Sequence, residues 1–74
     1  MKTIRVNAQS SQSGQWCQGE IVGCTSCWEG RIDAVILVDH TGERDMKSGE
    51  ITWTKSQPFM ISEYIAHCDV VGVE

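Results

Sequence analysis

Alternation of apolar and polar side chains predicts a molecule built mainly from short strands. Apolar residues alternate with polar ones in segments 3–8 and 50–55, and segment 31–39 carries apolar residues on both of its faces. A period of two is the pattern of a half-buried strand. A strand that is apolar on both faces is covered on both sides. We therefore predict that 31–39 is the central strand of a sheet.

Two further segments complete the predicted sheet. Segment 16–22 shows a mixed alternation, and Gly19 within it predicts a bulge or a close approach of two strands. Segment 69–73 is rich in valine, which favours strands. Segment 9–15 is rich in Ser, Gln and Gly and is predicted to be a flexible loop, and residues 40–42 are predicted to form a turn.

The segment near 57–67 carries two patterns at once. Helical spacing and Pro58 in a first turn favour a short helix, and a strand is the alternative, interrupted by Glu63. The apolar residues at helical spacing are Ile61, Tyr64, Ile65 and Cys68.

Together these elements predict one small domain over residues 1–74. A chain of 74 residues has room for one domain and buries only a small core. The expected fold is mainly β, an open or SH3-like barrel of roughly four to six short strands with one short helix. The alternative is an α+β sheet with one packed helix.

Charge and apolar run length restrict the partners. Ten acidic and six basic residues give a net charge of −4, so the chain lacks the basic excess that neutralises phosphates, which argues against a nucleic-acid partner. No apolar leader segment is visible, and the longest apolar run, 34–38, is far too short to cross a bilayer. We expect a cytoplasmic protein without membrane contact, in which thiols stay reduced.

The cysteines point most directly to a specific chemistry. Cys24 and Cys27 form a Cys-x-x-Cys step, which suits a tetrahedral zinc ion, and two of Cys17, Cys68 and His67 could complete the site. The second Cys-x-x-Cys of a zinc ribbon does not occur. The preferred interpretation is that the cysteines pack as small buried hydrophobes, with no metal and no cofactor.

The sequence contains no glycine-rich phosphate loop, no HExxH motif and no Ser-His-Asp arrangement, so we expect no enzymatic activity. Binding is better supported, because an aromatic side chain on a loop is often part of an interface. The expected contact regions are the glycine-bracketed loop around residue 28 and segment 39–49. The predicted partner-binding residues are Trp28, Glu29, His40 and Arg44.

Three functions follow. The first is a small non-enzymatic binding protein that engages a macromolecule, expected to be a protein. Its size suggests, by association only, an accessory protein or inhibitor of the kind that phages and mobile elements carry. The second is a zinc-stabilised module. The third is an oligomeric small-molecule binder or enzyme with its site at a subunit junction, and a homodimer is compatible with so small a core.

Overall fold

The computed structural model describes residues 2–26 and 28–74. This part of the chain forms five strands and two single 3-10 turns, Trp28–Gly30 and Ile65–His67. No helix in it is long and apolar enough to cross a lipid bilayer. The strands are β1 (Ile4–Gln9), β2 (Trp16–Ser26), β3 (Ile32–Arg44), β4 (Ile51–Tyr64) and β5 (Asp69–Val73).

The strands form one open antiparallel sheet in the order β4-β3-β2-β1-β5. The predicted mainly β fold is therefore confirmed. The α+β alternative is wrong, since the described residues contain no helix longer than one 3-10 turn.

The helix predicted near 57–67 is wrong over most of its length. Strand β4 continues to Tyr64, and only Ile65–His67 is helical. The physical reason is the long hairpin with β3, in which Ile61 lies opposite Ile36 and the pairing continues to Tyr64. Cross-strand hydrogen bonds and burial outweigh the local helical spacing.

The turn predicted at 40–42 is also wrong, because β3 passes through these residues to Arg44. The chain turns instead after β3, where Asp45 N–H donates to the Glu50 carbonyl and Gly49 N–H donates to the Asp45 carbonyl, both at 2.8 Å. Gly49 has a φ of +76°, the left-handed conformation that favours glycine. Gly42 has a different role, since it pairs with Trp16 on one side and Trp53 on the other.

The core lies on one face of the sheet. Strict alternation in β1 and β3 places small and branched side chains on this face, as expected for a half-buried strand. Cys68 and two isoleucines, Ile21 and Ile61, pack against its edge. The buried hydrophobic residues of this core are Val6, Ala8, Cys17, Ala34, Ile36 and Val38.

Gly19 lies where β2 and β3 approach closely. The register shifts at this point, since Gln18 pairs with His40 whereas Gly19 pairs with Val38, so β3 carries one extra residue, Asp39. A Cβ on Gly19 would overlap the Leu37 carbonyl oxygen and lie 2.8 Å from the Val38 Cα. The predicted bulge or close approach is confirmed.

The sheet must curl, because its two edge strands are joined by a short connector. The edges of a flat five-stranded sheet lie about 19 Å apart. The chain from Tyr64 to Asp69 spans at most about 17 Å when fully extended, and its 3-10 turn shortens it further. Ser11, just after β1, donates to Glu63 near the end of β4, which links opposite sides of the curled sheet.

Candidate functional site

The four predicted binding residues do not lie together. Glu29 is exposed in the 3-10 turn between β2 and β3, with a φ of 64°, and Arg44 ends β3 at its opposite end. His40 lies between these two ends. Trp28 belongs to the same turn as Glu29, and its side chain lies outside what the structure describes. A single surface formed by all four residues is therefore not present.

His40 forms a charged cluster in the middle of the sheet. Neighbouring strand residues normally point to opposite faces, but the bulge places His40 Nδ1 2.8 Å from Asp39 Oδ1. Arg5 donates two hydrogen bonds to the same carboxylate, at 2.9 and 2.7 Å. The hydrogen bonds from Arg5, then the contact with His40, lower the pKa of Asp39 to about 2. Asp39 is thus an anion that ties β1 to β3.

The proposed zinc ligands are spread over the fold. Cys17 and Cys24 are seven residues apart in β2, about 23 Å for an extended strand, so they cannot hold one ion. Cys17 and Cys68 contribute to the core, whereas Cys24 is exposed. Cys27 lies outside the described residues. Within 2–26 and 28–74 no three His, Cys, Asp or Glu side chains are grouped closely enough for a metal ion.

A cleft that sequence reasoning missed lies beside the start of β2. Its volume is about 470 Å³. Five segments form it: the end of β1, the loop 10–15, the start of β2, the end of β4, and the connector that leads through the second 3-10 turn into β5. Its lining residues are Gln9, Ser10, Ser11, Gly14, Trp16, Glu63, His67 and Asp69.

The loop 10–15 is held by its own hydrogen bonds. Ser10 N–H donates to the Gln15 carbonyl and Gly14 N–H donates to the Ser10 carbonyl, both at 2.8 Å. Gly14 has a φ of +74°, which a residue with a Cβ rarely adopts. The loop also reaches the next hairpin, since Gln15 Nε2 donates to the Gly42 carbonyl at 2.9 Å. These bonds position one wall of the cleft.

Glu63 is the buried acid of the cleft, with only 6% of its surface exposed. Its Oε2 accepts hydrogen bonds from the Ser11 backbone N–H at 3.1 Å and from the Ser11 hydroxyl at 3.2 Å. Among the described residues Oε1 receives no hydrogen bond, and no fully buried side-chain oxygen or nitrogen lacks a partner. Glu63 lines this cleft and also a smaller pocket of about 170 Å³ beside Met60.

The cleft carries negative charge. Glu63 and Asp69 are among its described lining residues, and no lysine or arginine is. The pKa values of two nearby thiols, Cys17 and Cys68, are raised. Burial is the larger cause, and the negative charge of Glu63 is the second. Both thiols are thereby kept in the neutral form.

Trp16 is the aromatic side of the cleft. The centre of the Arg44 guanidinium lies 6.0 Å from the centroid of the Trp16 ring, within reach of a cation–π interaction. Arg44 is not a lining residue of the cleft but contacts one, Trp16. His67, another lining residue, packs edge-on against Tyr64 with ring centroids 5.1 Å apart.

One local signal could have pointed to this site. Glu63 interrupts an otherwise apolar alternation, and a buried glutamate requires a special reason. Its partner Ser11 is 52 positions away in the chain, so no local pattern connects the two.

Comparisons of this chain with family models, curated proteins and solved structures found no match.

Proposed function

We propose that this chain is a small, non-enzymatic binding protein that engages a protein partner through the cleft. The observation that carries the proposal is the buried Glu63 carboxylate in the lining of the cleft, of which Oε2 alone receives hydrogen bonds from described residues. Burial of an ionised acid without a counter-charge is unfavourable. A partner that donates a hydrogen bond to Glu63 Oε1 would offset this unfavourable burial.

The lining of the cleft favours a protein partner over a small molecule. Pockets for small molecules are lined mainly by apolar and aromatic groups. Here most of the described lining side chains are polar, and Trp16 is their one aromatic. Trp and Arg are among the residue types that contribute most at protein interfaces, and Arg44 lies against Trp16, which lines the cleft.

The test is capture of a partner from an extract of the cells that encode the chain. The immobilised wild type is compared with the double variant His67→Ala, Asp69→Asn. Both residues are exposed, so we expect these substitutions to preserve the fold. The matched control is Glu29→Gln, an exposed acid at the other end of the sheet.

We expect the wild type and Glu29→Gln to retain one specific protein and the cleft variant to lose it. The proposal fails if the cleft variant retains the partner as well as the wild type does. It also fails if Glu29→Gln or Trp28→Ala loses the partner while the cleft variant keeps it.

A further inference from the structure

We infer that the cleft accepts a positively charged side chain of the partner, best matched by the guanidinium of arginine. The inference rests on the proposed function and names the chemistry of its ligand. It starts from Glu63 Oε1, which belongs to a nine-tenths buried carboxylate and has no hydrogen-bond partner among the described residues.

The position of Glu63 selects for a cation. Its other oxygen, Oε2, is held by Ser11, so the carboxylate cannot rotate away without losing two hydrogen bonds. Asp69 adds a second acid to the lining, and no described lysine or arginine neutralises either one there. An anionic ligand would be repelled, whereas a cation would gain a charge-assisted hydrogen bond.

Arginine fits this cleft better than lysine. A guanidinium is planar, donates in a fork and stacks on aromatic faces, whereas an ammonium is a compact, strongly hydrated charge. The lining of the cleft combines two carboxylates with the indole of Trp16, which lies within cation–π range of the Arg44 guanidinium. A volume of about 470 Å³ leaves room for the guanidinium and its methylene stem.

Two groups near the cleft oppose a cation. Arg44 lies beside Trp16, and His67 lines the cleft and becomes cationic when protonated. The measurement therefore belongs at mildly alkaline pH, where an imidazole is neutral.

The probes are N-acetyl-L-arginine amide, the corresponding lysine amide, and the uncharged isostere N-acetyl-L-citrulline amide. Each is titrated into the isotopically labelled full chain, and backbone amide shifts are followed by NMR. We expect saturable shifts at residues 9–16 and 63–69 with arginine, smaller ones with lysine, and none with citrulline.

The key variant is Glu63→Gln, which keeps an oxygen that Ser11 can bond and removes the charge. We expect it to bind the arginine amide about tenfold more weakly, since a hydrogen bond to a charged group contributes about that factor. Glu50→Gln, an exposed acid in the β3–β4 turn, is the matched control and should bind as the wild type does. If Glu63→Gln unfolds, exposed Asp69→Asn provides the same comparison with a smaller loss.

Equal binding of citrulline and arginine overturns the inference, as does an absence of cleft shifts with arginine. Undiminished binding by folded Glu63→Gln does the same. If capture of the protein partner still depends on the cleft, the proposed function is retained even when the arginine inference fails. The failure of the inference is therefore distinguishable from the failure of the proposed function.

Discussion

The two halves of β2 differ in their neighbouring strands, in the burial of their cysteines and in their position relative to the cleft. Residues 16–20, the base half, lie between β1 and β3, whereas residues 21–26, the tip half, pair with β3 alone in the described part of the chain. The base half contains buried Cys17 and adjoins the cleft, and the tip half contains exposed Cys24. Cys24, the first cysteine of the Cys-x-x-Cys step, lies in the tip half, whereas the candidate site lies beside the base half.

The largest expected effect is at Gly19 in the base half. Gly19→Ala forces a Cβ into the β3 backbone, so we expect it to destabilise the fold by about 3 kcal/mol or more. Gly23→Ala, in the tip half, is the matched control, because nothing lies within 4 Å of its added Cβ, and its effect should be below about 1 kcal/mol. Urea denaturation measures both. Equal losses would contradict the difference between the halves.

The second-largest expected effect is a difference in alkylation rate between the thiols of Cys17 and Cys24. Burial raises the pKa of Cys17, so this thiol stays neutral and shielded, whereas Cys24 is exposed. In a Cys27→Ser background, we expect iodoacetamide to label Cys24 tens of times faster than Cys17, because the thiolate is the nucleophile.

Proteolysis after Glu20 separates the two cysteines, and mass spectrometry then gives each labelling rate. The same comparison after unfolding in urea is the control, where the two rates should converge. Comparable rates in the folded protein would mean that the base half is open to solvent.

The smallest effect comes from the ion pair that spans the base half. Arg5 on β1 and Asp39 on β3 are joined across β2, and both are partly exposed, with 24% and 34% of their side-chain surfaces accessible. Asp39→Asn should therefore cost only about 1 kcal/mol after allowance for solvent screening.

The pH dependence of that effect follows from the sign of the shift. The pKa of Asp39 is lowered from 3.8 to about 2 in the fold, so its stabilisation is present above pH 3.8 and disappears as the pH falls towards 2. Denaturation of the wild type and Asp39→Asn across this range should show two stabilities that converge on acidification. A constant difference, or one that grows in acid, would be inconsistent with the ion pair.

Much of the fold could be predicted from local patterns. Alternation located four strands, the valine content of 69–73 located the fifth, and Gly19 indicated the close approach. The end of β3 was missed because Gly42 resembles a turn residue, and the end of β4 was missed because Ile61, Tyr64 and Ile65 have helical spacing. In the fold Gly42 is required for packing instead, since an added Cβ would lie 2.9 Å from the Trp53 ring.

The candidate site could not be predicted in the same way. Its central contact joins Ser11 to Glu63, and its walls come from segments that meet only when the sheet curls. Periodicity describes one strand at a time and carries no information about which loop reaches which edge. Arg44 was selected for its place in segment 39–49, and its contact with Trp16 is visible only in the structure.

The most direct test of this account is NMR mapping of the captured partner's footprint on the labelled chain. We predict that amide shifts concentrate at residues 9–16 and 63–69, and that residues 24–26 and 28–30 stay unchanged. A footprint confined to the turn between β2 and β3, with the cleft unaffected, would contradict it.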